Sequence, residues 1–241
     1  MVGTPAKAFP RGLTVPPLEN GDRLNRYEFE RRYAAMPNLK KAELIEGVVY
    51  MPAALRFRSH GQPHSRIMTW LGVYDALTRG VSVGDNPTIR LDLDNDPQPD
   101  AVLFIEAAYG GQSCLSIDDY IEGAPELIFE VAASSVAIDL YDKKQAYRRN
   151  GVKEYIVWQV LDEKLSWFCL EDGNYVELAA DTEGVLKSQG FPGLWLAQKA
   201  LLAGEMTQVL EVLRTGLDSS EHQAFVKLLT TKQSANGQID D

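Results

Sequence analysis

Residues 98–105 read QPDAVLFI, residues 125–135 read PELIFEVAASS and residues 155–158 read YIVW. Each contains an apolar run of strand length, and such runs indicate strands buried within a sheet. Asp100 stands directly before the first run, whereas Glu130 lies inside the second, between Phe129 and Val131. A buried carboxylate is costly unless it is paired, protonated or bound to a metal. Glu130 therefore indicates chemistry rather than packing.

The chain has the length of one domain with appendages, because 241 residues can bury one sizeable core. Its apolar fraction of 45% is ordinary for a protein with such a core. Prolines recur near the start of the chain, and its end is polar. We therefore predict an extended or disordered lead-in over residues 1–22, a single domain over residues 23–229 and a frayed tail over residues 230–241.

Charge and cysteine content exclude several classes of protein. The formal net charge of −10 argues against a general nucleic-acid coat, which needs a surplus of Lys and Arg, although it leaves room for a local basic groove. The two cysteines, Cys114 and Cys169, fit a reducing compartment without a disulfide framework. The first ten residues do not form a signal peptide, and no run approaches the roughly 18 apolar residues of a membrane span. We expect a soluble, cytoplasmic protein without membrane association.

The remaining pattern alternates between helices and strands. Apolar residues recur at helical spacing over residues 24–36 and 64–78, and Gly80 ends the second helix. Residues 42–51 read AELIEGVVYM, which predicts a β-hairpin that turns at Glu46-Gly47 and carries Glu43 on its first arm. The other predicted elements are a basic loop at 55–63, strands at 88–93, 101–105 and 127–133, a helix ending at Gly151, strands at 155–160, 166–170 and 175–178 of which the last two form a meander, a rigid corner at 191–194, and short helices at 196–203, 206–217 and 222–229. The chain is thus predicted to be an α/β (α+β) protein.

Asp100 and Glu130 form a candidate metal site. Mg²⁺ prefers oxygen ligands and usually takes one or two carboxylates from the protein, which an Asp at one strand start and a Glu on a neighbouring strand could supply. Phosphodiester hydrolysis also needs a cation near the scissile phosphate. Nucleases usually place a Lys two residues after the Glu, but here that position is Ala132. Lys143 and Lys144 follow on the next helix, and the spacing of four from Asp139 and from Tyr147 selects Lys143.

Each of these residues also has an ordinary explanation. Pro-Asp is a common turn start, and paired lysines on an amphipathic helix are most often a solvated face, so that Asp139 and Lys143 could be a simple i,i+4 pair. Glu43 is more often a strand-surface residue than a ligand, and His64 more often a cap than a base. His60 and His222 are interpreted as surface residues. Apolar patterns predict core or rim packing for Trp70, Trp158, Trp167 and Trp195.

Six motifs occur in one order along the chain. They are Ala42-Glu43-Leu44-Ile45-Glu46-Gly47 with Met51, His64-Ser65-Arg66-Ile67, Pro99-Asp100, Pro125-Glu126-Leu127-Ile128-Phe129-Glu130-Val131, Asp139…Lys143…Tyr147…Gly151-Val152-Lys153-Glu154-Tyr155, and Phe191-Pro192-Gly193-Leu194. This ordered set resembles the Uma-two family of restriction endonucleases, formerly a domain of unknown function, within the PD-(D/E)XK nuclease superfamily. The resemblance runs from about residue 27 to residue 229.

The resemblance implies a restriction-endonuclease-like fold, with a central mixed β-sheet flanked by helices. It implies that Asp100 and Glu130 match the metal carboxylates, that Lys143 matches a lysine displaced from the strand to the helix, and that Glu43 and His64 match further site residues. The implied cofactor is Mg²⁺, with Mn²⁺ as a substitute, and the implied partners are nucleic acid, in the first place DNA, and a second copy in a homodimer. The chain departs from the family pattern at residues 132–136, where AASSV replaces x-Ser-Pro-Ser-Thr, so that Ala133 lacks a hydroxyl.

Three functions remain open at this point. The first is a Mg²⁺-dependent DNA endonuclease, with Asp100 and Glu130 on the metal and Lys143 beside the transition state. The second is a catalytically silent protein of the same fold that binds nucleic acid or another partner, which the net charge of −10 favours slightly. The two differ in whether basic residues converge on the carboxylates: Arg56, Arg58, Arg66, Lys143, Lys144, Arg148 and Arg149. A third function, a hydrolase with Ser134 or Ser135 as nucleophile, lacks the Gly-x-Ser-x-Gly elbow.

Overall fold

The structure is a computed structural model that describes residues 15–51 and 56–236. The helices are α1 (Arg26–Ala34), α2 (Gln62–Leu77), α3 (Lys144–Asn150), α4 (Gln198–Ala203), α5 (Met206–Leu217) and α6 (Ser220–Asn236). The strands are β1 (Glu43–Ile45), β2 (Val48–Tyr50), β3 (Val81–Asp85), β4 (Ile89–Arg90), β5 (Ala101–Ile105), β6 (Cys114–Leu115), β7 (Ile121–Glu122), β8 (Leu127–Ala132), β9 (Glu154–Gln159), β10 (Lys164–Glu171), β11 (Asn174–Glu177), β12 (Val185–Lys187) and β13 (Trp195–Ala197). Two π-helical turns, Phe57–Gly61 and Ile138–Lys143, lead directly into α2 and α3.

A six-stranded sheet in the order β11-β10-β9-β8-β5-β3 organises the molecule. The pair β8–β9 is parallel and the other neighbours are antiparallel, so the sheet is mixed, as predicted. The apolar runs of β8 and β9 occupy the centre of this sheet and are buried along their whole length. β10 and β11 form the predicted antiparallel meander.

Side-chain alternation along β8 assigns each residue to one face of the sheet. Leu127, Phe129 and Val131 pack into the larger core, which α2, α5 and α6 cover from one side. Ile128 and Ala132 pack into a second core against Tyr147 of α3. Glu130 lies between Ile128 and Ala132 in this alternation and therefore shares the face that α3 covers. Three of the four tryptophans are buried and Trp195 is partly exposed, as predicted.

The β1–β2 hairpin has the predicted position, and its register places Glu43 opposite Tyr50. It forms a third apolar cluster with α1 and with Leu18. The predicted lead-in lies outside the described residues up to residue 14, and from Val15 onward the chain packs on the hairpin, where the Gly21 N–H donates to the Val49 carbonyl at 2.8 Å. The hairpin joins the rest of the fold through a bridge between Leu44 and Asp96.

Several local predictions are wrong. The predicted basic loop at 55–63 contains the π-helical turn at Phe57–Gly61 and the start of α2. The strand predicted at 88–93 is limited to β4, because the chain turns back when the Leu91 N–H donates to the Asn95 carbonyl, and β4 belongs to a separate sheet of order β4-β7-β6. Edge strand β3 was not predicted, since its sequence VSVGD is only half apolar.

The C-terminal region also differs from the prediction. The frayed tail predicted from Thr230 is helical up to Asn236, and residues 237–241 lie outside the described residues. α6 is held because Phe225 and Leu229 enter the larger core. His222, predicted on the surface, is buried and pairs with the Thr78 hydroxyl at 2.9 Å. In the described part of the chain no helix combines the length and apolar character needed to cross a bilayer, and both cysteines are free.

Candidate active site

Two adjacent strands bring Asp100 and Glu130 to one place. In the register of β5 and β8, Ala101 is opposite Phe129, so that Asp100 comes next to Glu130 at the end of the pair. Both side chains are buried. The backbone N–H of Val131 donates to Asp100 Oδ2 at 2.7 Å, which fixes the aspartate against β8. Asp100 therefore directly precedes β5, and Glu130 lies on the neighbouring strand β8.

Glu43 reaches the same place from the hairpin. It is the first residue of β1 and is buried, and its Oε1 accepts a hydrogen bond of 2.8 Å from the backbone N–H of Gln98, two residues before Asp100. Asp139, on the second π-helical turn, is also buried, and its Oδ2 accepts a hydrogen bond of 2.6 Å from the Ser135 hydroxyl. We call Glu43, Asp100, Glu130 and Asp139 the carboxylate cluster.

Lys143 lies among three members of the carboxylate cluster. Its Nζ is 2.9 Å from Glu43 Oε1, 2.9 Å from Glu130 Oε1 and 3.6 Å from Asp139 Oδ1. The Tyr147 hydroxyl donates to the same Glu130 Oε1 at 2.9 Å. Lys144 points elsewhere, with its Nζ 3.4 Å from the centroid of the Phe168 ring. The prediction that Lys143, not Lys144, faces the carboxylates is confirmed.

Two histidines stand beside Asp100. His64 Nε2 is 2.9 Å from the Asp100 backbone carbonyl and 3.2 Å from Asp85 Oδ1, so that it holds the chain near the cluster rather than the Asp100 carboxylate itself. The prediction of a surface position for His60 is wrong: it is buried, and its Nε2 is 3.4 Å from Asp100 Oδ1. The π-helical turn before α2 stacks the two imidazoles, with centroids 5.7 Å apart and planes 7° apart.

Sequence reasoning missed His60 and Lys41 at this site. Lys41 Nζ is 3.9 Å from Asp100 Oδ1. A signal for each existed, since His60 precedes His64 by four residues and Lys41 precedes Glu43 by two, the spacings that put side chains on one face of a helix or a strand. The other basic residues considered for the site do not reach it in the described structure. Arg149, for example, pairs with Glu46 and Asp92, and Arg148 donates to the Gly173 carbonyl.

Burial and charge together set the protonation of the carboxylate cluster. Burial raises the pKa of Glu130 to about 8, against the opposing effect of Lys143. Burial also raises the pKa of Asp139, again against Lys143. Burial would raise the pKa of Glu43 too, but Lys143 and Lys41 outweigh it and lower that pKa below its ordinary value. For Lys143 the three surrounding carboxylates outweigh burial and raise its pKa well above the ordinary value.

The donor set fits a hard divalent cation. Three of the four buried carboxylates pair with the Lys143 ammonium, and Asp100 pairs with the partly exposed Lys41, so negative charge is in excess unless protons or a cation compensate it. Within residues 15–51 and 56–236 no three His, Cys, Asp or Glu side chains are arranged as a ready-made metal cage. Mg²⁺ does not need such a cage, because it usually keeps several waters and takes one or two carboxylates. Asp100 and Glu130 are two carboxylates of the type that such an ion takes.

Comparison with known proteins places the chain in a family. A family model described as "Uma2: Putative restriction endonuclease" matches residues 26–199. No curated protein matches. A solved structure from Anabaena variabilis ATCC 29413, described as "a putative nuclease belonging to DUF820", has the same fold with a TM-score of 0.50 and 11% sequence identity, over 76% of this chain and 97% of that one. The chain therefore shares the fold of that structure and belongs to the Uma2 family.

Proposed function

We propose that the chain is a metal-dependent endonuclease that hydrolyses phosphodiester bonds in DNA. The observation that carries the proposal is the position of Lys143, whose buried Nζ lies 2.9 Å from both Glu43 and Glu130. Glu130 in turn lies next to Asp100, which directly precedes the neighbouring strand β5. A lysine that merely solubilised a helix would be exposed. The family membership and the fold support a nuclease-like function, whereas the metal and the DNA substrate are part of the proposal.

In this proposal Asp100 and Glu130 hold Mg²⁺, or Mn²⁺ in its place. When bound, the ion supplies charge neutralisation at the phosphate and a stronger nucleophile from water. The chain's own groups keep these two ligands in place: the Val131 N–H binds Asp100 Oδ2, and the Tyr147 hydroxyl binds Glu130 Oε1. Asp100 Oδ1 and Glu130 Oε2 accept no hydrogen bond from these two groups.

Lys143, Glu43 and His64 have separate roles. The Lys143 ammonium orients water and offsets negative charge that develops on the scissile phosphate. Glu43 holds Lys143 through a direct ion pair of 2.9 Å and stays ionised as a further acidic residue of the site. His64 is a positioning residue, because its contact is with the Asp100 backbone carbonyl.

A catalytically silent binding module of the same fold is the second candidate. It is favoured because few positively charged side chains lie near the carboxylates. Arg148 and Arg149 bind other partners, the Gly173 carbonyl and the Glu46 carboxylate. Arg56 and Arg58 are exposed. Such a protein would bind its partner without cutting nucleic acid. The experiment below separates the two functions.

The test compares cleavage of supercoiled plasmid and single-stranded DNA, with Mg²⁺ and with Mn²⁺, by the wild type, Asp100→Asn and Asp142→Asn. Asp142 is a matched control, because it is an exposed aspartate beside Lys143 that hydrogen-bonds to Tyr50. Asp100→Asn keeps the shape but removes the charge that holds the cation, so we expect at least a ~100-fold loss of cleavage. Asp142→Asn should cut like the wild type.

Thermal melting provides a readout that does not depend on cleavage. Millimolar Mg²⁺ or Mn²⁺ should raise the Tm of the wild type and of Asp142→Asn but not of Asp100→Asn, because a ligand stabilises only the state that binds it. In chelator, Asp100→Asn should melt at the wild-type temperature or above, since it relieves repulsion within the carboxylate cluster. A wild type that neither cuts nor responds to metal would refute the nuclease and leave the binding module.

A further inference from the structure

A cavity of about 510 Å³ lies away from the carboxylate cluster, between the end of α1 and the small sheet of β4, β6 and β7. Its apolar walls include Tyr33, Met36 and Leu39, and Tyr120 lines it from the small sheet. None of the five groups Glu43, Asp100, Glu130, Asp139 and Lys143 contributes to its lining. A volume of this size suits a small organic ligand.

Asp96 lines this cavity with a carboxyl group that lacks a partner. The residue is only 1% exposed. Its backbone is fully used, because its N–H and its carbonyl bond to the carbonyl and the N–H of Leu44. Its Oδ1, in contrast, is buried without a hydrogen-bond partner among the described residues. Leaving such an atom unpaired is costly, so a ligand that donates to it would be stabilised.

The charges around Asp96 exclude an anionic ligand. Glu30 and Asp118 line the cavity with Asp96, against the single guanidinium of Arg90. Arg90 is already committed, since it donates to Glu30 at 2.7 Å and to both Asp118 oxygens at 2.9 and 2.8 Å. Its guanidinium carbon also covers the Tyr120 ring, 4.2 Å from the centroid. The Arg90 guanidinium is therefore already paired with carboxylates and is not free to bind a phosphate, whereas the Asp96 carboxyl group can still accept a hydrogen bond from a ligand.

Arg26 is the other cation that acts on Asp96. It does not supply the missing hydrogen bond to Asp96 Oδ1. Arg26 Nε has no hydrogen-bond partner of its own among the described residues, and it lies 3.8 Å from Glu30 Oε1. Burial, and then the Glu30 carboxylate, raise the pKa of Asp96 to about 7, as expected for a carboxyl group without a close partner.

We propose that this cavity is a binding site for a small organic cation, an amidinium, guanidinium or ammonium group on an apolar body, with Asp96 as its anchor. The positive group would pair with the Asp96 carboxyl group, and the apolar body would rest on Met36, Leu39 and the Tyr33 ring. This site is separate from the proposed nuclease centre and stands whether or not that centre cuts DNA.

The test is a titration of the full chain with benzamidine in chelator, followed by calorimetry or NMR. Benzamide and benzoate serve as matched neutral and anionic probes. The wild type should bind benzamidine saturably, and it should bind neither benzamide nor benzoate. Asp96→Asn should weaken benzamidine binding at least about tenfold, because it removes the charge that pairs with the amidinium. Asp100→Asn, the same change in the carboxylate cluster, should leave it unaltered.

Further variants and probes sharpen the result. Ala34→Phe, at an exposed lining position, should block binding by filling the cavity, and it serves if Asp96→Asn fails to fold. Agmatine and the capped peptide acetyl-Gly-Arg-Gly-amide distinguish a free cation from an arginine side chain of a partner. Absence of benzamidine binding, unchanged binding in both cavity variants, or loss of binding in Asp100→Asn alone would overturn the proposal, and the cavity would then hold water only.

Discussion

At the scale of single residues, Glu130 shows how a strand can carry a charge. The strand buries the side chain between apolar neighbours, which raises the pKa of Glu130 to about 8. Lys143 and the Tyr147 hydroxyl both bind Oε1, so that the proton at neutral pH belongs on Oε2. If the proposed cation binds, it would displace that proton, so metal binding would be accompanied by proton release.

Glu130→Gln should change how stability depends on pH. Between about pH 4.5, the ordinary pKa of Glu, and about pH 8 the folded wild type holds a proton at Glu130 that the unfolded chain has lost. The free energy of unfolding should therefore fall as pH rises through this window, by up to ~1.4 kcal/mol per pH unit. Glutamine stays neutral and should remove this part of the slope.

Urea unfolding of both proteins in chelator at pH 5.5, 6.5 and 7.5 measures this effect. Asp139, whose pKa is also raised, keeps its own contribution in both proteins, so the comparison is the difference between them. Parallel pH dependences for the wild type and Glu130→Gln would show that Glu130 is ionised in the folded state throughout.

Lys143→Met should be far more destabilising than Lys144→Met. The first change leaves Glu43, Glu130 and Asp139 without their shared ammonium, and removing one partner of a buried ion pair costs about 3–5 kcal/mol. The cost should shrink at pH 5.5, where Glu130 carries a proton. Lys144 has a single cation–π contact with Phe168, which is worth about 0.5–1 kcal/mol. Urea unfolding at pH 8 and 5.5 measures both, and equal losses would contradict the position of Lys143 among these carboxylates.

At the scale of elements, the two π-helical turns have parallel positions. The first, Phe57–Gly61, precedes α2 and carries His60, and the second, Ile138–Lys143, precedes α3 and carries Asp139 and Lys143. Both therefore direct side chains toward Asp100 and Glu130. π-Helical turns are rare and are frequently found at functional sites.

Two helical glycines should respond oppositely to alanine. Gly72 of α2 has open space where a Cβ would lie, so Gly72→Ala should stabilise the protein by up to about 1 kcal/mol through helix propensity. A Cβ on Gly216 of α5 would overlap the Gly193 carbonyl and lie 2.8 Å from the Trp195 ring. Gly216→Ala should therefore destabilise by about 1–3 kcal/mol. Thermal and urea unfolding measure both, and stabilisation by Gly216→Ala would show that α5 packs less closely on residues 193–195.

At the scale of the whole molecule, the sheet separates two tasks. The face toward α2, α5 and α6 holds most of the large apolar side chains, while the face toward α3 holds Glu130 and its partners. α6 closes the first face, because His222 pairs with Thr78 at the end of α2 and stacks edge-on against Tyr74. Stability is thus supplied mainly on the side of the sheet opposite the carboxylate cluster.

Adjacent leucines of α6 test this arrangement. Leu229 is fully buried in the larger core, so Leu229→Ala should cost about 2–5 kcal/mol, whereas Leu228 is 52% exposed and Leu228→Ala should cost less than about 0.5 kcal/mol. Urea unfolding gives both values. Equal and small losses would mean that the end of α6 does not contribute to the core and that the tail frays as the sequence suggests.

The sequence by itself determined the strands of the central sheet other than edge strand β3, and the residue types of the site. Apolar runs at 101–105 and 127–132 can only be buried. A Glu inside such a run indicates a functional site, because burying its charge is costly unless a partner compensates it. The spacing of Asp139, Lys143 and Tyr147 also selected Lys143 over Lys144, because residues four apart share one helix face and adjacent ones do not. These signals depend only on residues close together in the chain, so they can be read from the sequence without the fold.

The tertiary structure alone decided which distant residues meet. His60 and Lys41 reach Asp100 because a π-helical turn and a hairpin converge there, and neither the turn nor the docking of the hairpin has a local signature. The cavity beside Asp96 likewise has no local signature in the sequence. It lies between α1 and a sheet formed by three two-residue strands. Strands that short carry too few residues for a periodic pattern. Their pairing depends on contacts between segments far apart in the chain, and a sequence records those contacts only through the fold.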